Sequence, residues 1–295
     1  MNRHRKAVAP WVPYLFVAPF LITFALFTVY PLFQSIVLTT QQTIGPGFER
    51  YVGADNFRNI LSDPKFWIAV KNTLLFASAS VAIQMPLALG LALLMNQPWL
   101  RGRSFYRLAV FSPALVGSVF VGIMSAIVFQ ARTGMLNRSL HALFNFNPDF
   151  PWLSTYLMPA MIIATLWMWT GFNMIYFLAA LQNVEKELVD SASIDGAGTW
   201  QRFLHVTLPA IRPVAGYVTL ISLIASLQVF ELPYLMLSRL NSGPENRGLT
   251  VVMYLYQTGF NVGDLGYASA IGWILALLLI FLSILYRRMS RDERT

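Results

Sequence analysis

Cysteine is absent from the 295 residues, which excludes a disulfide framework, a thiolate metal site and a cysteine nucleophile. Histidine occurs only as His4, His141 and His205, too scattered for a metal cluster or a histidine-centred catalytic site. None of the four lysines (Lys6, Lys65, Lys71, Lys186) sits in a GxxxxGK-Ser/Thr phosphate loop, so a nucleotidase site of that kind is missing. Any ATP the system uses is hydrolysed on another polypeptide. Charge is scarce too. Only 12% of residues are charged, against roughly 25% in a soluble domain. Hydrophobic residues make up 56% of the chain and the mean hydropathy is +0.56. A soluble chain of this size needs more charge to coat its surface, so the solvent is lipid and a free cytosolic enzyme is excluded.

What is present is a series of apolar runs, at 11–38, 68–95, 106–129, 152–181, 214–237 and 267–286. Each meets the length of about 20 residues that a membrane-spanning helix needs. The first exceeds the 7–15-residue apolar region of a cleaved signal peptide and is expected to be a retained span. With the N-terminus inside, thirteen basic residues fall on inner segments: Arg3, Arg5, Lys6, Arg101, Arg103, Arg107, Lys186, Arg202, Arg212, Arg287, Arg288, Arg291 and Arg294. Eight fall outside: Arg50, Arg58, Lys65, Lys71, Arg132, Arg138, Arg239 and Arg247. This bias predicts cytoplasmic termini and turns the net charge of +8 into a topology signal, with no nucleic-acid partner expected. The outer loops, near 39–67, 130–151 and 238–266, carry turn formers such as Gly45-Pro46-Gly47, Asn147-Pro148-Asp149 and Ser242-Gly243-Pro244. Within them Met135–Phe144 has helical apolar spacing that suits the outer interface. The expected fold is all-α: one transmembrane domain, 1–295, with six spans and no internal repeat.

The inner loop 184–213 is the unusual segment. Residues 185–194 favour a helix with acids in its first turn, and Asp195-Gly196-Ala197-Gly198 ends it. Thr199 is the expected N-cap of a second short helix, with Trp200, Phe203 and Leu204 on one face and Pro209 as its stop. A return to the membrane is expected at Pro213. The resulting elbow suits either an interfacial element tucked under the bundle or a docking element for a cytoplasmic partner.

The residue pattern favours the second. Asp190-Ser191-Ala192, Asp195-Gly196-Ala197, Gly198, Phe203, Leu208-Pro209 and Pro213 together resemble the cytoplasmic loop motif of ABC-importer permeases, with Asp for Glu and Ser for Ala at its start. Over nearly the whole chain, further segments resemble the permeases of carbohydrate importers in the branch that includes the maltose and glycerol-3-phosphate systems. They are Leu15-Phe16-Val17-Ala18-Pro19, Tyr30-Pro31, Val52-Gly53-Ala54-Asp55-Asn56-Phe57, Lys71-Asn72-Thr73, Arg101-Gly102-Arg103 with Phe105, Arg107 and Pro113, and Gly266-Tyr267-Ala268-Ser269-Ala270. The resemblance implies a second homologous permease, two ATP-binding-cassette ATPase subunits that use ATP and Mg, and an external substrate-binding protein. No cofactor is expected in this chain. It places the ATPase contact at Asp190 to Gly198 and the bacterial inner membrane as the location.

The cargo path is expected on spans four and five. Thr165, Trp169, Phe172 and Tyr176 share one helical face, and so do Ile221, Ala225, Gln228 and Glu231 or Leu232. Aromatic faces against sugar C–H surfaces with amides on hydroxyls is usual sugar-site chemistry. The resemblance carries Thr165, Trp169, Phe172, Ala225 and Gln228 over as substrate-binding residues. Aromatics at this spacing also serve helix packing or face lipid. Glu231, the one acid inside an expected span, suits a gate or vestibule role or a substrate contact. Asn72, Gln84 and Asn173 are buried-polar candidates that helix–helix hydrogen bonds explain equally well. The competing readings are a stand-alone secondary transporter or channel, which predicts more intramembrane charge and a repeat, and an importer permease for another solute such as glycerol 3-phosphate.

Overall fold

The computed structural model describes residues 11–43, 45, 47, 49–237 and 242–292. Arg3, His4, Arg5, Lys6, Pro46, Arg239 and Arg294 lie outside the described residues. In chain order, α1 (Val12–Phe24) passes through a π-helical turn (Ala25–Val29) into α2 (Tyr30–Thr39). A hairpin of β1 (Gln41–Thr43) and β2 (Glu49–Tyr51) precedes α3 (Asp55–Leu61) and α4 (Pro64–Asn96). Then come α5 (Arg103–Val116), α6 (Ser118–Val128), α7 (Met135–Phe144), α8 (Leu157–Gln182) and α9 (Lys186–Ile194). Next, α10 (Thr199–Arg202) runs through a second π turn (Phe203–Thr207) into α11 (Leu208–Leu227), followed by α12 (Glu231–Met236), α13 (Val251–Tyr256) and α14 (Leu265–Asp292).

Large apolar side chains cover the outside of these helices. Phe16 is 79% exposed, Phe27 78% and Phe281 61%, which is sustainable only against lipid. Among the described residues, five helical segments are long and apolar enough to cross a membrane: Tyr14–Thr39, Pro64–Asn96, Leu157–Gln182, Thr199–Leu227 and Leu265–Arg288. The expected span 106–129 is instead two helices, α5 and α6, bent by 97°, and it makes a sixth crossing only if the pair counts as one. The bend sits at Gly117, whose φ of 91° and ψ of 153° are open to glycine and strained for other residues.

By internal contacts the chain forms two compact units, Met1–Ser62 with Leu255–Ile274, and Asp63–Tyr254 with Leu275–Thr295. In the first, the antiparallel hairpin pairs Gln41 with Tyr51 and Thr43 with Glu49, a short strand element that apolar patterning does not announce. Buried Asn56 donates its amide to the carbonyls of Thr39 and Gln41, both at 2.8 Å, fixing α3 against the end of α2. The Gly266 N–H reaches Thr43 Oγ1 at 3.1 Å, and a Cβ on Gly266 would collide with the Gln41 carbonyl.

In the second unit, α4 packs along α8. The 33 residues of α4 extend about 50 Å, longer than the hydrocarbon layer. Small buried residues lie where the two pack: Ala88 and Ala92 of α4 cluster with Met174, Phe177 and Ala180 of α8, and Ala160 and Ala164 of α8 with Phe76 of α4. Small side chains let two backbones approach where lipid offers no hydrophobic drive. At Gly171 of α8 a Cβ would collide with the Val110 carbonyl, so α5 crosses there in backbone contact. Asn72 donates to the carbonyls of Asn246 (2.8 Å) and Leu249 (3.0 Å), and the Val251 N–H donates to Thr73 Oγ1 (2.9 Å).

Three further expectations need correction. The run 152–181 becomes helical only at Leu157; residues 152–156 belong to the preceding loop, where Trp152 Nε1 donates to buried Asn137 at 2.8 Å and Asn137 donates to the Phe150 carbonyl at 3.0 Å. Arg132 donates to Asp149 at 2.6 Å across the same loop, and this bond raises the guanidinium pKa above its ordinary value. Pro209 does not stop the elbow helix, and Pro213 lies inside it: Thr199–Leu227 is one continuous helix. In the π turn the Leu208 N–H reaches back five residues to the Phe203 carbonyl, and the widened turn accommodates the proline ring that follows. The same device occurs in the first span, where Tyr30 N–H bonds Ala25 O just before Pro31.

Finally, the run 214–237 is broken. α11 ends at Leu227, and 228–230 are non-helical before α12. Pro233 has no N–H to offer the Val229 carbonyl four residues back; that carbonyl instead accepts from Thr250 Oγ1 at 2.8 Å. Thr250→Val leaves the Val229 carbonyl without its partner and should destabilise the protein by about 1–2 kcal/mol. Thr250→Ser should recover most of the loss, both read from the thermal midpoint in detergent.

Candidate functional site

The break between α11 and α12 opens onto a cavity of about 460 Å³ in the second unit. Its walls come from α4 (Phe76, Gln84), α8 (Thr165, Trp169, Phe172, Asn173), α11 (Ile221, Ser222, Ala225, Ser226) and the break itself (Gln228, Val229, Phe230, Glu231). All six residues expected to touch cargo, Thr165, Trp169, Phe172, Ala225, Gln228 and Glu231, line this one space. Tyr176 does not, although it continues the aromatic ladder.

On α8 that ladder is built at helical spacing. Trp169 meets Phe172 edge-on at 5.7 Å, and Phe172 meets Tyr176 at 5.3 Å. Phe111 of α5 stacks on Phe172 at 6.3 Å, a contact that single-helix periodicity has no means of finding. Across from the ladder, Asn173 donates to Ser222 Oγ at 3.0 Å, tying α8 to α11. Gln228 stands at the C-terminus of α11, its amide donating to the Ile224 carbonyl at 3.3 Å. Glu231 is not inside a straight span, as expected, but in the first turn of α12 beyond the break, exposed at the cavity. An acid there faces the favourable end of the helix dipole. Phe230 was missed by apolar patterning, which reads straight through the break; the signal was Pro233, whose missing N–H predicts an interruption at its i−4 position.

The described residues lining the cavity include no Lys, Arg or His. No group of three or more His, Asp or Glu that could hold a metal ion exists among the described residues.

The second candidate site is the elbow. α9 ends at Ile194, and Gly196 adopts φ +81° while Gly196 N–H and Ala197 N–H return to the carbonyls of Ser193 (3.2 Å) and Ala192 (2.9 Å). This is a left-handed helix termination, as the sequence anticipates. The N-cap of α10 is Gly198, not Thr199; the Gln201 side chain accepts the Gly198 N–H at 2.9 Å. Arg202 of α10 reaches over to α9, donating to Ser193 Oγ at 2.6 Å and to Thr199 Oγ1 at 3.4 Å. The two short helices are thereby clamped together. Asp190, Ser191, Asp195, Gly196 and Gly198 are exposed, Ala192, Ala197, Phe203 and Leu208 half-buried, and Pro209 exposed within the continuous helix. Ile194 is 87% exposed and Trp200 69%, an apolar pair standing free of the bundle.

Residues 84–295 match the family of binding-protein-dependent transport system inner membrane components. The chain belongs to this family. The permease is 36% identical to the arabinooligosaccharides transport system permease protein AraP of Bacillus subtilis (strain 168), over 94% of this chain and 88% of that one. It is 33% identical to the lactose transport system permease protein LacF of Rhizobium radiobacter, over 95% of this chain and 94% of that one. Its structure resembles a chain of the bacterial alginate ABC transporter solved in complex with an alginate pentasaccharide-bound periplasmic protein, with TM-score 0.83 and 26% identity, covering 96% and 94%. The permease is thus a multi-pass inner-membrane transport component and not itself an enzyme.

The Asn173–Ser222 bond ties α8 to α11 at the cavity. A double-mutant cycle of Asn173→Ala and Ser222→Ala should give a coupling of about 0.5–1.5 kcal/mol in thermal or denaturant unfolding.

Proposed function

We propose that the permease forms the translocation path for an uncharged sugar, a di- or oligosaccharide, delivered by an external binding protein. Transport is driven by ATP and Mg in two separate ATPase subunits, and a second homologous permease completes the path. The observation that carries the cargo class is the cavity: the aromatic rings of Trp169 and Phe172 line it together with the amides and hydroxyls of Gln228, Asn173 and Thr165, without a cation in the lining. Pyranose rings offer apolar faces to such aromatics and hydroxyl edges to such amides. A phosphate or uronate would meet the carboxylate of Glu231 and no Lys, Arg or His, which disfavours glycerol 3-phosphate as cargo. The names of AraP and LacF point the same way.

The elbow is the coupling element in this reading. Asp190, Ser191, Ala192, Asp195, Gly196, Ala197 and Gly198 meet the ATPase, with Phe203, Leu208 and Pro209 holding the elbow to α11. Because α10 runs on into α11, a displacement of the elbow reaches Ala225 and Gln228 through unbroken helix. A body clamped by Arg202 moves as one piece, whereas a soft loop absorbs the motion. The basic residues on inner segments place both termini in the cytoplasm.

Two experiments test this. Tagged permease extracted in mild detergent should bring down a second permease and a Walker-A ATPase, and the complex should hydrolyse ATP faster with sugar-loaded binding protein; recovery of the chain alone returns the stand-alone transporter to the front. Gly196→Trp should abolish uptake and ATPase stimulation. Its Cβ meets nothing within 4 Å in this chain, but φ +81° strains any side chain there, so the thermal midpoint in detergent is read alongside to confirm that the variant is folded. Unchanged coupling in that variant sinks the role given to the elbow.

A further inference from the structure

Three amides lie within or beside the helices as buried-polar candidates, and the structure separates them. Asn72 is consumed by the carbonyls of Asn246 and Leu249, and Asn173 by Ser222. Gln84 of α4 is 2% exposed, and its Nε2 has no hydrogen-bond partner among the described residues. It lines the same cavity as Trp169 and Gln228. An amide in a membrane interior has neither water nor headgroups to satisfy it, so an unmade bond there is costly in the empty state and is recovered when a partner arrives. The hydroxyls of Ser80 and Thr170 also lack partners, but neither lines the cavity. Gln84 is the one that does both.

We propose that Gln84 is a cargo-contacting, specificity-determining residue, its side-chain amide donating to a hydroxyl or ring oxygen of the sugar. The inference rests on the sugar reading above and adds α4 to α8 and α11 as a wall that touches cargo. With Asn173 and Ser222 already engaged with each other, Gln84 supplies a free donor on that side of the space. The contact recognises oxygen without charge, and so reads which hydroxyl the sugar presents to α4.

The test uses the complete importer in proteoliposomes, with loaded binding protein at saturation and arabinotriose and lactose as probes. Gln84→Leu keeps the volume and removes the donor. Its uptake of the probe that the wild type moves should fall about five- to tenfold, with sugar-free ATPase activity unchanged. Among monodeoxy forms of that probe, one should lose its transport penalty in Gln84→Leu and keep it in Thr170→Val. Uptake at the wild-type rate, or a penalty pattern identical in both variants, overturns the assignment. If Gln84→Leu does not assemble, Gln84→Cys serves, because this chain contains no other thiol. Its alkylation, followed by mass spectrometry of the α4 peptide, should slow with saturating probe, and a rate indifferent to sugar overturns the assignment. A wild-type complex that moves neither sugar overturns the sugar reading itself, and this contact with it.

Discussion

A backbone carbonyl or N–H in hydrocarbon must find its partner within the protein, and the cavity exists because that demand is met at one carbonyl. Val229 loses its helical donor to Pro233 and gains the hydroxyl of Thr250. Without that substitution the chain would have to stay helical through 228–230, and Gln228, Phe230 and Glu231 would rotate away along a straight rod. Non-helical backbone in a membrane protein is tolerated where it is buried in protein or lines a cavity, and here it lines one. Pro113 of α5 is handled likewise: the Ala109 carbonyl four residues back accepts from Ser112 Oγ at 3.0 Å. In each case proline withdraws a backbone donor, and a nearby hydroxyl satisfies the carbonyl it leaves.

Around these openings the packing is conservative. Alanine lines the α4–α8 contact, and the polar bonds that cross between elements are few and specific. Several of the segments that resemble the importer permeases turn out to carry those bonds. Asn56 fixes α3 to the carbonyls at the end of α2, Asn72 and Thr73 hold the stretch leading into α13, and Gly266 allows the start of α14 to touch the hairpin backbone. Such residues read as motif in the sequence because each satisfies a backbone group that no apolar substitute can.

Much of the fold was legible because lipid imposes a long apolar run for each span, and the helix at Met135–Phe144 and the termination at Gly196 followed from equally local rules. What escaped were the changes of direction. Hydropathy runs evenly across Gly117 and across 228–230, since residues at a bend and residues in a rod face the same solvent. Pro209 misled for a different reason: a proline ends a helix only if the preceding turn keeps its ordinary spacing, and the π turn at Phe203–Thr207 does not. The shared faces of α8 and α11 followed from one-helix periodicity, and the residues carried over from the resemblance line one cavity. Gln84 was ambiguous until its neighbours could be counted, because a buried amide means packing or binding according to whether its donors are already spent.

The unbroken run Thr199–Leu227 also has a geometric consequence. At 1.5 Å per residue its 29 residues form a rod of about 43 Å, clamped at one end to α9 and ending at the cavity rim. Pivoted near either end, such a rod works as a lever arm: a tilt of roughly ten degrees sweeps the free end through about 7 Å, close to the width of a sugar ring. With the pivot at the elbow, a tilt of that size therefore displaces the cavity end by one ring width, with no need for the helix to bend, melt or slide.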